Sequence, residues 1–476
     1  MATGVCSMIG ASIYVIPFMI QRNVPGIGPY VLPAFLLAAI PAIFAAISYA
    51  ALSTAMPKAG GSYLYASRSL NPYLGFIASF SQWFGLSIVI GVISYVVIPF
   101  FRDFFFGLGL ENFAQWLEVG NVRVSLALII LWAFAGINML GIKTYEKTLI
   151  PLMILMFGLG GLVIISGFSY EHSDFLNAIS TLPEENFSSS KASFDIWTFL
   201  AAAALLFSSF IGFDAIAQAG GEAKNPSKNL PRAIGLAILV VGTFYFVFTY
   251  AVYSAVPWEF IASEAQNKDL TAAGLLSYLL PDWLAVIILF GAGIALLNDL
   301  PAMILSVSRL VFAWSEDEIF PKNLSEINSK TQAPTKAIVL STFVSTIGVL
   351  GSHFAGDFFL GIDIMVTAML VNFLFMCLSI LFLPRTNPNL AKHQTLIKSD
   401  SKRFVIGALG SLFLFGFLLI HTMKDLNAQV SHWYFHSTYV YILVISMASF
   451  TFYLRWTRLK SQNIDLRSKF RSLPEN

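Results

Sequence analysis

Apolar runs of roughly 18–28 residues, each long enough to cross the hydrocarbon core of a bilayer, recur about twelve times along this chain of 476 residues. No other feature restricts the fold so strongly. A segment surrounded by lipid must satisfy its backbone N–H and C=O groups internally, and a run of this length does so as a helix. The runs lie at approximately 2–21, 31–55, 73–100, 122–141, 148–168, 196–219, 233–256, 283–313, 336–354, 358–383, 404–421 and 437–456. Charged residues are 11% of the chain, against about 25% in soluble domains, and the mean hydropathy is +0.74. These features indicate an all-α integral membrane protein of about twelve transmembrane helices.

Basic residues orient the bundle. With both termini cytoplasmic, only Arg22, Arg102, Arg123, Lys191, Lys268 and Lys424 fall in outer loops, out of 28 lysines and arginines. Nearly all the others, from Lys58 and Arg68 to Arg455 and Arg471, fall on the inner side, as the positive-inside rule requires. Trp197, Trp258, Trp283 and Trp433 are then expected at the outer interface, with Trp314 and Trp456 at the inner one. The net charge of +2 says little about partners, and no basic cluster interleaved with aromatics points to nucleic acid. Cys6 and Cys377 stand far apart in apolar runs and read as small core residues. No signal peptide is expected ahead of a first span that itself directs insertion. Because few residues precede Gly10, the first half-span is short: either the gene start is truncated or that end is minimal.

Two spans are interrupted. Phe207-Ser208-Ser209-Phe210-Ile211-Gly212-Phe213-Asp214 places two serines, a glycine and an acid in the sixth span, and Ser7-Met8-Ile9-Gly10-Ala11-Ser12 interrupts the first. Paired breaks at corresponding positions of two halves mark the binding site of a secondary transporter. Five spans separate the breaks, which suggests an inverted repeat of five plus five. The division is residues 1–170 (spans 1–5), 196–384 (spans 6–10), 402–458 (spans 11 and 12) and a cytoplasmic tail at 459–476. The longest outer loop is at about 169–195, and an inner linker at about 386–403 leads to the last two spans.

Particular motifs then resemble those of the amino acid–polyamine–organocation permease superfamily. Ile9-Gly10-Ala11-Ser12-Ile13-Tyr14 is similar to its first-helix Ile-Gly-x-Gly-Ile-Phe motif. Phe210 to Asp214, Gly221-Glu222-Ala223-Lys224-Asn225-Pro226 and Asn229-Leu230-Pro231-Arg232 resemble its sixth-helix signature. Met56 to Tyr63 resembles the end of its second helix, and Ser308-Arg309, Ile319-Phe320-Pro321 and Ala333-Pro334-Thr335 the exit of its eighth. The resemblance covers about Thr3 to Pro384 and implies alternating access around a site between helices one, three, six, eight and ten. It implies that amides of Gly10, Ala11 and Ser12 hold a substrate carboxylate. Carbonyls near Ser7 and Met8, and those of Phe207, Ser208 and Ile211, would hold the ammonium. Half-helix dipoles favour the same assignment. Three departures bear on substrate size and coupling ion: Ser12 replaces the motif's second glycine, Ser208 stands where many members carry an aromatic gate, and the fifth span has no lysine. Gating then falls to Phe207 or Phe210, or the pocket is wider.

Two acids are candidates for ion coupling. Asp214 either titrates with transport or caps the half-helix that restarts there. Asp299, in Asn298-Asp299-Leu300-Pro301, is a proton carrier or a counter-ion to a cationic side chain, or else locks the bundle. Ser306 and Ser308 could ligate sodium, though such serines more often bond backbone. Gln82, Trp83 and Tyr95 are either pocket-lining or packing residues, Asp363 is expected near the outer vestibule, and Glu222, Lys224 and Arg232 are expected to form a salt-bridged inner gate. His432 and His436 have metal-ligand spacing if helical, but no third ligand is evident. No nucleophile–base pair, nucleotide loop or zinc signature occurs, so neither an enzyme nor a cofactor is expected. The functional expectation is a plasma- or inner-membrane carrier of amino acids or related amines and polyamines, by symport or exchange, coupled to H+ or possibly to Na+. A non-transporting nutrient receptor on the same fold is the alternative.

Overall fold

The computed structural model describes residues 1–180, 193–267, 269–355, 359–462 and 470–474, without the side chains of residues 11, 12 and 355. Every expected span is present as a helix, and no strand occurs among the described residues. Spans 1 to 6 are Ala2–Asn23, Gly28–Ala55, Pro72–Gly107, Gly120–Met139, Ile142–Phe168 and Ile196–Gln218. Spans 7 to 12 are Pro226–Ala255, Asp282–Glu316, Thr335–Phe354, Phe359–Thr386, Asp400–Asn427 and Ser437–Ser461.

Several helices outrun the apolar segments that announced them. Span 5 begins at Ile142 rather than near Thr148, directly after Gly141 at φ 94°. Span 7 begins at Pro226, where proline's missing N–H is harmless and Asn225 supplies a left-handed turn. Hydropathy registers only the lipid-facing length, whereas the helix continues into polar turns that water or protein can solvate. Short helices also fill the connections, at Gly61–Ser69, Glu111–Glu118, His172–Ile179 and Trp258–Asn267. Part of the long outer loop, residues 181–192, falls outside the described residues.

Span 2 packs on span 7 and span 3 on span 8. Span 3 also packs on span 10, and span 8 on span 5. Spans 1 and 3 are buried over most of their length, while in spans 4, 5, 11 and 12 most residues are not fully buried. Span 11 lies against span 10, and span 12 against spans 10 and 3. The broken spans are therefore central, shielded from lipid by the rest.

One aromatic expectation is overturned. Trp314 is fully buried rather than interfacial. Its ring packs against Phe76, Phe80, Trp83 and Phe320, and its indole N–H donates to Ser79 Oγ at 2.8 Å. The end of span 8 thus meets span 3 instead of the bilayer surface. Trp197, Trp283 and Trp433 do remain exposed.

The face carrying the N-terminus is held shut by charge and by the tail. Arg68, on the helix between spans 2 and 3, pairs with Asp317 past the end of span 8 at 2.5 and 3.0 Å, both side chains almost wholly buried. Residues 470–474 lie over this pair. Arg68 donates to the Ser472 carbonyl and Lys58 to that of Pro474, while Phe470 sits 5.1 Å beneath the guanidinium. Asn387 at the end of span 10 donates to the Arg471 carbonyl. Removing one partner of a buried ion pair strands the other, at a cost of about 3–5 kcal/mol. Arg68→Ala is expected to destabilise the protein by that order, read as a lower melting temperature in detergent; an unchanged melt would refute the lock.

Candidate functional site

The first break is short. Span 1 closes its first half, Ala2–Met8, with Ile9 N–H donating to Val5 O at 2.9 Å. Ile9 is extended, Gly10 adopts φ −142° and ψ −141°, and the helix restarts at Ala11. The second break is longer. The first half of span 6, Ile196–Leu206, tightens into a 3-10 turn at Phe207–Phe210, Ile211 is extended, and the helix resumes at Ala215–Gln218.

The two breaks touch. Gly212 has φ 128°, a region that favours glycine, and a Cβ there would run into the Ser7 carbonyl and come within 2.8 Å of the Met8 nitrogen. Freed groups find local partners. The Met8 carbonyl accepts from the Tyr245 hydroxyl at 2.8 Å, the Ser208 carbonyl from Ile211 N–H at 3.2 Å, and Ser208 Oγ donates to Leu205 O at 2.7 Å. Each carbonyl keeps a second lone pair for a ligand.

Beside the breaks, toward the face opposite the N-terminus, is a cavity. Its polar groups come from Ser7, Met8, Ser208, Ile211 and Asp299. The remaining wall is aliphatic or thioether: Val15 and Ile16 from span 1, Val89, Val92, Ile93 and Val96 from span 3. Spans 8 and 10 contribute Leu296, Met303, Ile362 and Met365. Sequence reasoning missed this wall because uninterrupted apolar runs do not disclose which side faces a cavity and which faces lipid.

The remaining candidates separate. Gly10 lies directly against Asp299, whose carboxylate occupies the space a Gly10 Cβ would need. Ile9 is fully buried at the break. The side chains of Ala11 and Ser12 fall outside the described residues, although both start the second half-helix. Phe207 and Phe210 do not line the cavity: Phe207 packs on Phe373 and Phe417, and Phe210 on Phe35. Neither ring closes the cavity in this conformation, because the 3-10 turn directs both toward spans 2, 10 and 11.

Asp214 lies on the other side of the break, toward the N-terminal face. It accepts from Gly212 N–H at 3.1 Å and from the Gln82 amide of span 3. Its carboxylate thus bonds backward, into the break, rather than forward as a helix cap. Gln82 in turn accepts from Ser62 Oγ at 2.5 Å and Gln218 Nε2 at 3.0 Å. Gln82 is therefore part of a buried polar layer below the cavity. Trp83 donates to Ser341, and Tyr95 meets His353 with Arg123 over its ring.

Further down, Glu222 pairs with Arg309 of span 8 at 2.5 Å. Ser308 donates to Leu305 O, a backbone bond. Asp363 lies near the opposite face beside His421. His432 precedes a 3-10 turn and His436 follows it in extended conformation, so their spacing is not that of one α-helical face; His436 Nδ1 lies 2.8 Å from the Asp425 carbonyl.

Broken helices meeting at mid-bundle, with a cavity between spans 1, 3, 6, 8 and 10, agree with the family match, in which the description "Amino acid permease" covers residues 1–447. The chain belongs to the amino acid permease family. Among similar proteins, this permease is 26% identical over 434 residues to cationic amino acid transporter 4, vacuolar, of Arabidopsis thaliana, covering 86% of this chain and 68% of that protein. It is 28% identical over 218 residues to cationic amino acid transporter 2, vacuolar, of the same plant, covering 45% and 32%. It is 26% identical over 301 residues to the branched-chain amino acid permease BcaP of Bacillus subtilis, covering 61% and 60%.

The contact between breaks makes a sharp prediction for the permease. Gly212→Ala combines a positive φ with a clash against the Ser7 backbone, and strain of this kind costs about 1–3 kcal/mol. A melting temperature and transport rate equal to wild type would show that the breaks do not depend on this contact.

Proposed function

We propose that this permease is a secondary active carrier that moves a neutral, aliphatic amino acid by alternating access, with protons as the coupling ion. The observation that carries the reading is the cavity itself: a polar strip where two broken helices meet, facing an apolar wall. Half-helix N-termini favour an anion and half-helix C-termini a cation. A zwitterionic head group suits amides at Gly10, Ala11 and Ser12 together with carbonyls around Ser7, Met8, Ser208 and Ile211. Phe207 contributes at most its backbone, and Gly212 allows the close approach of the two breaks. The apolar wall then receives the side chain, and desolvating an ammonium or guanidinium there would cost several kcal/mol.

Asp299, buried in the cavity, is the proposed proton carrier. Asp214, tied into the polar layer, is assigned the role of holding the N-terminal side of the site closed. That layer, the Arg309–Glu222 pair and the Arg68–Asp317 pair lie successively between the cavity and the N-terminal face. This arrangement supports a carrier closed toward that face and accessible from the other. We further infer, from the distribution of lysine and arginine, that both termini are cytoplasmic and that the protein resides in the plasma or inner membrane.

The relatives' printed names divide between cationic and branched-chain substrates, and the aliphatic wall favours the latter. In proteoliposomes, leucine, isoleucine or valine is expected to accumulate when an inward proton gradient is imposed, and an inward sodium gradient alone is expected to have no effect. Preferential accumulation of arginine, lysine or a polyamine would overturn the substrate assignment. Saturable binding without uptake would replace the carrier with a receptor.

A further inference from the structure

The carboxylate of Asp299 lies where the first break presents its restarting helix. Gly10 is the residue that precedes that helix, and an added Cβ on it would overlap the Asp299 carboxyl group. The second half of span 1 is 13 residues long, so its N-terminus carries the partial positive charge that attracts anions. Asp299 is only 4% exposed and also lines the cavity. One anion-favouring end therefore serves both a carboxylate that belongs to the protein and, in the carrier reading above, a carboxylate that belongs to the substrate.

We propose that Asp299 occupies the substrate-carboxylate position of the empty carrier, and that an amino acid enters by displacing it and driving its protonation. The inference rests on the carrier reading and deepens it, because it specifies how substrate and proton are linked. Two carboxylates confined to one low-dielectric site cannot both stay ionised; one takes up a proton. The proton comes from the water-accessible side as substrate binds, converts Asp299 to the neutral acid, and leaves again when the substrate departs and the carboxylate returns to the break.

The surroundings fit that exchange. Cys6 of span 1 lies near Asp299, and the neighbouring Asn298 reaches Met156 of span 5 at 3.5 Å. Tyr145 of span 5 packs with Cys6 and Ala302, and the buried Tyr245 of span 7 bonds the Met8 carbonyl. Span 3 faces the cavity with Val89, Val92, Ile93 and Val96, and on span 6 Asp214 is engaged by Gly212 and Gln82. Cations on elements packed against span 8 include the Met1 amine, Arg22, Arg68, Arg102, Arg123, Lys143, Lys147 and Lys336. Arg309, on the same helix, is ten residues away, about 15 Å along the axis, and is paired with Glu222.

The test compares L-leucine with isopentylamine, which keeps the side chain and ammonium but lacks the carboxylate. Purified protein in weakly buffered detergent solution is mixed with each, and proton uptake is followed with a pH dye alongside tracer binding. Leucine is expected to take up about one proton per molecule bound, and its apparent affinity to tighten by about tenfold for each unit fall in pH. Isopentylamine is expected to bind without proton uptake. Asp299→Asn is expected to bind leucine with neither proton uptake nor pH dependence, an effect that a purely packing role would not produce. Equal proton uptake with both ligands, no uptake with leucine, or full uptake in Asp299→Asn would each overturn the proposal. Tracer uptake of leucine into vesicles is measured in parallel: its absence would sink the carrier reading and this inference with it, whereas its presence without proton uptake on leucine binding would sink only the inference.

Discussion

Two helices in this bundle stop being helices halfway across the bilayer, and the rest of the structure accommodates that fact. In hydrocarbon a freed N–H or C=O group left without a partner costs several kcal/mol. The breaks are tolerable because each is the other's neighbour. Gly212 backs onto the Ser7 carbonyl, Tyr245 reaches in from span 7 to bond Met8, and Ser208 bonds its own preceding turn. Spans 3, 8 and 10 then enclose the pair, and the outer spans exclude lipid.

The same contact divides the molecule into a polar side and an apolar side. Toward the N-terminal face are Asp214, Gln82, Gln218 and Ser62, then the Arg309–Glu222 and Arg68–Asp317 pairs, then the tail. On the other side is the aliphatic cavity, with Asp299 as its acid. Buried polar layers are costly unless satisfied and directional when they are. A layer of this kind favours one arrangement of spans 3, 6 and 8 and can be exchanged for another only by breaking several bonds together. Such bistability is what alternating access requires.

How much of this could be read beforehand differed from residue to residue. The twelve spans were legible because lipid imposes one rule on every one of them, and the breaks because serine and glycine interrupt otherwise apolar runs. Asp214 and Asp299 were visible as acids in spans, yet their different roles were not: a carboxylate bonded into the polar layer and one facing a cavity look alike in sequence. Trp314 was misplaced for a related reason. Its position near a span end suggested the bilayer surface, whereas the packing of span 8 on span 3 places it in the core beside Trp83 and Phe76. The Arg309–Glu222 pair, 87 positions apart, could not be matched by counting charges in loops.

The sequence by itself determined the solvent, the number of crossings and the two points at which helices break. Each of these follows from local composition acting against a uniform apolar medium. Only the tertiary structure decided which apolar faces form the cavity, that Phe207 and Phe210 turn away from it, and that Asp299 reaches the amide end at Gly10. Those outcomes depend on how far one helix is rotated and tilted against another. Packing of many side chains at once sets that geometry, and no single residue's chemistry encodes it.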